Sequence, residues 1–416
     1  TSSKPMSSLH ASTASERRLH PAAFFFLMIL VGLNLRPALS SLAPLLPRVE
    51  AQTDLTVAGI GALTTLPVLC LGLFAPLAPW LSRRLGPERT LSLALLVLAL
   101  GLGLRGLATP AWLFTGTLLV GAGIGVAGSL LPALVKRELP RGADLMTGVY
   151  TMALCLGGAL GAGLSIPMAD AFGGWPFALV AWAGLALAAL IAWLILMPQP
   201  GSPAVRPPPT GNTRALLRQP LAWQVMILMG SQSSLAYIVF GWLPTLLIER
   251  GYDDAEGGWM MAASVMVQLI SALVAPWLAR LGRDQRPALL LLLLMVASGL
   301  TLLLIGPEPW RWVGIALLGL GQGGSFSLAL TLIVLRTADS RLAGKLSGLA
   351  QGGGYTLAAL GPLAVGMMLE FDLGLLAIIL VLLSIVMVAV VFALLAGRNR
   401  RLETDDEGRL LIRDYR

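Results

Sequence analysis

Arg36 is the residue best placed to do chemistry in this sequence. It stands about halfway along an apolar stretch, AAFFFLMILVGLNLRPALSSLAPLLP (22–47). At about 1.5 Å per helical residue it lies roughly 15–20 Å from either end, near the centre of a hydrocarbon layer about 30 Å thick. A guanidinium cannot reach water from that depth along its own stem. Keeping one at a helix centre costs about 2.5–3.5 kcal/mol even on mild insertion scales. The charge therefore implies an internal polar cavity, where its most direct use is to grip an anionic or strongly polar solute. A structural polar network is the alternative use. No other charge reads as lying so deep.

Other polar residues sit inside apolar runs and could share that cavity. Ser40 is one turn from Arg36 and on its face, whereas Asn34 is about 200° around a regular helix and reads equally as an interhelical hydrogen-bonder. Thr64, Ser129, Tyr150, Gln232, Tyr237, Gln268, Gln322, Gln351 and Tyr355 complete the candidate set for solute binding. Gln351 and Tyr355 are four apart and stack on one helix face. Each of these could instead be a hydrogen bond between helices. Trp242, beside Pro244, reads as a packing or interfacial residue rather than a platform for a ring.

The missing chemistry narrows the field. The only histidines, His10 and His20, are in or next to a polar N-terminal tail, so they support neither a zinc site nor a histidine-based catalytic site. Cys70 and Cys155 fall in apolar runs and read as small packing residues. The glycine runs lack the lysine of a nucleotide loop and follow no strand. No cofactor, metal site or catalytic residue is expected. All 21 acidic residues fall in loops, tails or helix ends, so no carboxylate is placed to relay protons at mid-membrane. Arginine cannot take that role because it stays protonated. A proton can still travel on the solute itself.

These side chains must be positioned by helices in a bilayer. The 416 residues are 56% hydrophobic and only 12% charged, about half the charge of a soluble domain, and mean hydropathy is +0.81. Apolar runs long enough to span read as twelve helices over 22–47, 56–80, 90–107, 110–135, 146–170, 175–197, 221–248, 258–279, 287–306, 310–335, 345–369 and 373–396. The runs lack the alternation of barrel strands. With both termini on one side, 24 basic residues fall on that side and Arg48, Arg105, Arg250 and Arg311 on the other. The positive-inside rule makes the first side cytoplasmic. The net charge of +8 is thus a consequence of topology, and no nucleic-acid partner is expected.

The chain reads as two copies of one half. A proline-rich connector, 198–220, separates six-helix units at 22–197 and 221–396, with a disordered cytoplasmic tail at 1–21 and a solvated mixed-charge tail at 397–416. Ala78-Pro79-Trp80-Leu81 recurs as Ala275-Pro276-Trp277-Leu278, Pro44 matches Pro244, and Gly148 matches Gly348. Matches held at nearly constant spacing indicate internal duplication. The expected fold is an all-α membrane protein with twelve transmembrane helices in two pseudo-symmetric six-helix bundles. Parallel repeats of this kind place a binding site near the midplane between the halves. Glycine runs at 121–128, 156–163, 319–324 and 351–354 fit close helix contacts.

The segments GLNLRP (32–37), LTTLP (63–67), LLPALVKRELP (130–140), LMTGVY (145–150), PLAWQV (220–225), GWLPTLLIERGY (241–252) and GKLSGLAQGGGY (344–355) resemble the major facilitator superfamily over roughly 22–396. Within it they are most similar to the cyanate and 2-nitroimidazole transporter branch, nearer to its nitroimidazole member. The superfamily's loop pattern after helix two is degraded to SRRLGPER (82–89), with Arg83 at its Asp position. Helix four has Thr117 where proton-coupled members carry an arginine, and helix five lacks the antiporter Gly-Pro, so proton-driven antiport loses support. The resemblance implies alternating access in a bacterial inner membrane, a small polar or anionic solute, lipid neighbours and a monomer. Rival readings are an efflux pump for amphipathic compounds and, in a different class, a membrane sensor that keeps the transporter fold. A membrane enzyme is remote, because no buried acid or base is available for it.

Overall fold

In the computed structural model, residues 19–198 and 213–415 are described. The polar N-terminal tail through Arg18 and most of the proline-rich connector, read above as disordered and extended, lie outside the described residues.

Long apolar helices dominate because backbone polar groups in a bilayer must find partners within their own segment. The spans, in chain order, are α1 (Pro21–Gln52), α2 (Val57–Phe74 and Leu77–Leu85), α3 (Pro87–Arg105), α4 (Pro110–Glu138), α5 (Ala143–Phe172) and α6 (Trp175–Leu196). After the connector come α7 (Pro220–Arg250), α8 (Asp254–Arg280), α9 (Arg286–Leu304), α10 (Arg311–Leu335), α11 (Ser340–Glu370) and α12 (Gly374–Ala396). Eleven of the described spans pass as crossing helices outright. The twelfth, α2, is two pieces bent by 50°, where Pro76 follows the end of the first piece and removes a ladder donor.

Two spans are less regular than their hydropathy implies. In α1 the helix Pro21–Asn34 stops, a single turn Pro37–Ser40 follows, and a 3-10 turn leads to Leu46–Gln52. In α11 the break falls at Ala359, just before Gly361-Pro362.

The two halves meet near the face that carries both ends of the described chain, hereafter the termini face. There the duplication becomes physical. A Cβ on Gly148 of α5 would lie 2.9 Å from Cγ of Pro276 in α8, and one on Gly348 of α11 would lie 2.9 Å from Cγ of Pro79 in α2. The prolines belong to the repeated Ala-Pro-Trp-Leu segments, so each half presents its proline to the glycine of the other. Two polar ties close the same face. Arg280 of α8 donates to both carboxylate oxygens of Asp144 in α5 at 2.6 Å, and Lys136 Nζ of α4 donates to the carbonyl of Val334 in α10 at 3.0 Å.

The C-terminal segment corrects the reading of a solvated tail. It folds into an antiparallel hairpin, β1 (Arg400–Thr404) with β2 (Leu410–Asp414), docked on the C-terminal half. Leu402 is fully buried; its N–H donates to the Arg336 carbonyl at 2.8 Å, and its own carbonyl accepts from Ala338 N–H at 3.0 Å. Arg336 beneath it is also fully buried and donates to the carbonyls of Ala396 and Gly397 at the end of α12, at 2.8 and 3.0 Å. A cation on a helix C-terminus is favourable because those carbonyls have no intrahelical partner.

Candidate solute site

Pro37 builds the site. It has no N–H to continue the helix, and its ring disfavours helical geometry at the residue before it. Arg36 accordingly leaves the helical region, with φ −120° and ψ −33°, and becomes the cap of the next turn. Close packing of α5 accommodates the kink: a Cβ on Gly161 would lie 2.7 Å from Cα of Pro37. The break sets Arg36 at the centre of the molecule, between the halves.

The Arg36 guanidinium carbon stands 5.1 Å from the ring centroid of Phe326 in α10, a cation–π distance. Among the described residues, the titratable groups acting on it are the phenols of Tyr237 and Tyr355 and the thiol of Cys155, and none is a carboxylate. The rings of Tyr237 (α7) and Tyr355 (α11) meet edge to face, centroids 6.3 Å apart at 66°. The Tyr237 hydroxyl lies close to Arg36 but outside hydrogen-bond geometry, and the Tyr150 hydroxyl is likewise unpartnered.

Arg36 and Phe326 together form a wall shared by two small chambers. One, of about 30 Å³, lies toward the termini face and reaches Tyr150, Gln351 and Tyr355. The other, of about 40 Å³, reaches Tyr237, Gln268 and Gln322. At about 10–15 Å³ per water on this measure, the first has room for two or three waters and the second for three or four. In the first, Gln351 Nε2 donates to Ser347 Oγ at 2.8 Å and across the halves to the Gly128 carbonyl in α4 at 3.2 Å. In the second, Gln268 Nε2 donates to Gln322 Oε1 at 3.2 Å, and Gln322 Nε2 donates to the Leu235 carbonyl at 3.3 Å.

Seven sequence candidates therefore gather around the chambers: Arg36, Tyr150, Tyr237, Gln268, Gln322, Gln351 and Tyr355. Four turn elsewhere. Asn34 donates to the Leu30 carbonyl of its own helix at 2.8 Å, which replaces the expected interhelical bond. Ser40 donates back to the Arg36 carbonyl at 3.2 Å. Gln232 donates to Ser233 Oγ at 2.7 Å, and Ser129 is buried outside both chamber linings. The Thr64 side chain lies outside those described. Trp242 packs within the C-terminal half, donating to the Pro362 carbonyl at 2.9 Å.

Sequence reasoning missed three residues. Phe326 is the sole aromatic in GQGGSFSLAL (321–330), a signal that was available. Cys155 is more than packing, since it lines the second chamber. Arg105, read as an outer-loop residue, is fully buried, so Arg36 is not the only charge held inside. Its guanidinium reaches Thr117 Oγ1 of α4 at 3.2 Å, the helix-four position that lacks an arginine of its own.

Sequence comparison agrees with this architecture. The Major Facilitator Superfamily profile matches residues 23–362, and the chain belongs to that superfamily. It is 34% identical to the 2-nitroimidazole transporter of Escherichia coli (strain K12) over 379 residues, covering 90% of this chain and 95% of the relative. It is 30% identical to the cyanate transport protein CynX of the same organism over 336 residues, covering 80% and 87%. An uncharacterized transporter of Bacillus subtilis (strain 168), YycB, is 36% identical over 351 residues, covering 82% and 85%. Among solved structures, the E. coli fucose:proton symporter FucP superposes with a TM-score of 0.71 at 11% identity, covering 90% of this chain and 98% of that one. The proton:xylose symporter XylE gives 0.72 at 13%, covering 90% and 94%. At these identities the likeness is one of fold. The chain is a multi-pass membrane transporter.

Proposed function

We propose that this protein moves a small polar or anionic solute across a bacterial inner membrane by alternating access, as a secondary active or facilitative carrier with Arg36 as the fixed cation of a central site. The observation that carries the reading is the setting of Arg36: a guanidinium on a broken helix between the halves, flanked by phenols and amides and, among the described residues, by no carboxylate. A cation with no counter-ion among the described residues is suited to a solute that brings the negative charge, and charge-assisted hydrogen bonds are the strong ones. Relatives named for cyanate and 2-nitroimidazole support the same class. The present chambers have room for only a few water-sized groups each, so a ring-sized solute calls for a wider state than this one. The basic termini face is the cytoplasmic one in this reading, and the carrier works as a monomer.

Purified protein in sealed proteoliposomes tests the proposal with labelled cyanate and 2-nitroimidazole. Saturable flux of either is expected. Arg36→Ala should weaken binding about tenfold or more, the size of a lost hydrogen bond to a charged group. Arg36→Lys should be intermediate because it keeps the charge and loses the planar fork. A folded Arg36→Ala variant with unchanged flux would overturn the role of Arg36. Saturable binding without flux would favour a sensor.

A further inference from the structure

Arg105 ends α3 and is fully buried. Nη1 donates to the Ala38 carbonyl at 2.6 Å, and Nη2 to Thr117 Oγ1 at 3.2 Å. Burial of a guanidinium is costly unless its donors find strong acceptors, and neither acceptor here is charged. The stem is fitted closely: a Cβ on Gly116 of α4 would lie 3.0 Å from Arg105 Cγ.

The acceptor identifies what Arg105 does. Ala38 is two residues beyond Arg36. In a continuous helix its carbonyl would take the N–H of Leu42. The short turn ends at Ser40, the last such bond runs from Ser41 N–H to the Pro37 carbonyl, and the backbone then tightens into the 3-10 turn. A second interruption of the same span, where the short turn carrying Pro37 ends, thus frees the Ala38 carbonyl inside the bundle. Leaving it buried and unpaired would be destabilising. Arg250, at the end of α7 in the C-terminal half, binds carbonyls of another kind. It holds those of Leu302, Leu303 and Gly306 at the end of α9, where carbonyls are free in any helix. Arg105 instead serves a carbonyl in mid-span.

We propose that Arg105 is a positioning residue for the solute site: by binding the freed Ala38 carbonyl it holds the broken first helix in the register that sets Arg36 against Phe326. This rests on the reading of Arg36 as the site's cation, and two measurements keep the failures apart.

Hydrogen exchange in detergent reports the helix itself. Arg105→Met should speed exchange of the amides between Leu39 and Leu45 about tenfold or more, the effect of one charged hydrogen bond lost. Arg105→Lys should recover much of the protection, and Arg250→Met should leave this segment unchanged while loosening the end of α9. Fluorine resonance of 4-fluorophenylalanine placed at position 326 reports the guanidinium. Arg36→Gln should move the signal, Arg105→Met should move it in the same direction, and Arg105→Lys should bring it back. If Arg105→Met does not fold, Arg105→Gln replaces it. Unchanged exchange at 39–45, or equal loss of protection in every helix, would overturn the proposal. A resonance that follows Arg36→Gln and ignores Arg105 would also overturn it. If Arg36→Gln leaves the resonance in place, the Arg36 site itself fails, and the exchange data then decide Arg105 alone.

Discussion

Around Arg36, individual polar groups differ in what they contribute to folding and to binding. The Tyr237 hydroxyl is buried with the Arg36 guanidinium as its near polar neighbour and with no fully formed hydrogen bond, so removing it costs the fold little. Tyr237→Phe should cost no more than about 1 kcal/mol of stability in detergent, the scale of one modest hydrogen bond. It should weaken solute binding by about two- to tenfold if that hydroxyl meets the solute. A drop in stability equal to the drop in affinity would instead make Tyr237 a packing residue. Residue type and depth were legible in the sequence, which is why Arg36 stood out. The direction of each side chain was not. Asn34 and Gln232 are polar residues in suitable helices, yet each bonds beside itself along the chain. Arg105 was misplaced for a related reason: hydropathy ends the third span near that residue, and nothing in a single sequence tells whether the guanidinium turns outward or in.

At the level of elements, the spans could be read from hydrophobic runs alone because a bilayer leaves the backbone almost no other choice. Interruptions were harder, since the run through Pro37 stays apolar while its hydrogen bonding stops. The C-terminal hairpin was missed because its alternation is short and carries mostly charges; only Leu402 is fully buried along β1. Its turn depends on Asp405, whose carboxylate accepts the backbone N–H of Arg409 at 2.7 Å and of Glu407 at 3.1 Å, and Arg409 Nε at 3.0 Å. The Arg409 amide foremost, and its guanidinium, hold the Asp405 carboxyl below the usual range. A depressed carboxyl stabilises the fold above its unfolded pKa and ceases to do so as pH falls through its folded one. The hairpin should therefore be fully protected at neutral pH and loosen only in acid below the ordinary aspartate range. Asp405→Ala should mimic that loosening at pH 7, seen as faster hydrogen exchange within 400–414 and no change in α10. Equal protection in wild type and variant would show that the turn does not need the carboxylate.

For the molecule as a whole, the duplication is a mechanical statement as well as an evolutionary one. Two equivalent glycine–proline contacts, Gly148 on Pro276 and Gly348 on Pro79, let the halves approach at the termini face. Protein interiors tolerate added volume poorly, so one methyl at such a contact is relieved by moving the neighbours apart. Here the neighbour is the other half, and in the alternating-access cycle proposed above the direction of relief is the opening motion. The Asp144–Arg280 and Lys136–Val334 ties span the same gap and would lengthen with it. Gly148→Ala and Gly348→Ala should each bias the protein toward opening on that face, and by similar factors, because the two contacts are related by the pseudo-twofold axis. Leu131 is fully buried on the chamber nearer the termini face, so a cysteine there reports access. With Cys70 and Cys155 replaced by serine, N-ethylmaleimide should label Leu131→Cys several-fold faster in either alanine variant than with both glycines kept. Labelling accelerated by only one of the two would show that the halves do not close as equivalent jaws. Labelling accelerated by neither would mean that the glycines serve packing within a state that does not rock about this contact.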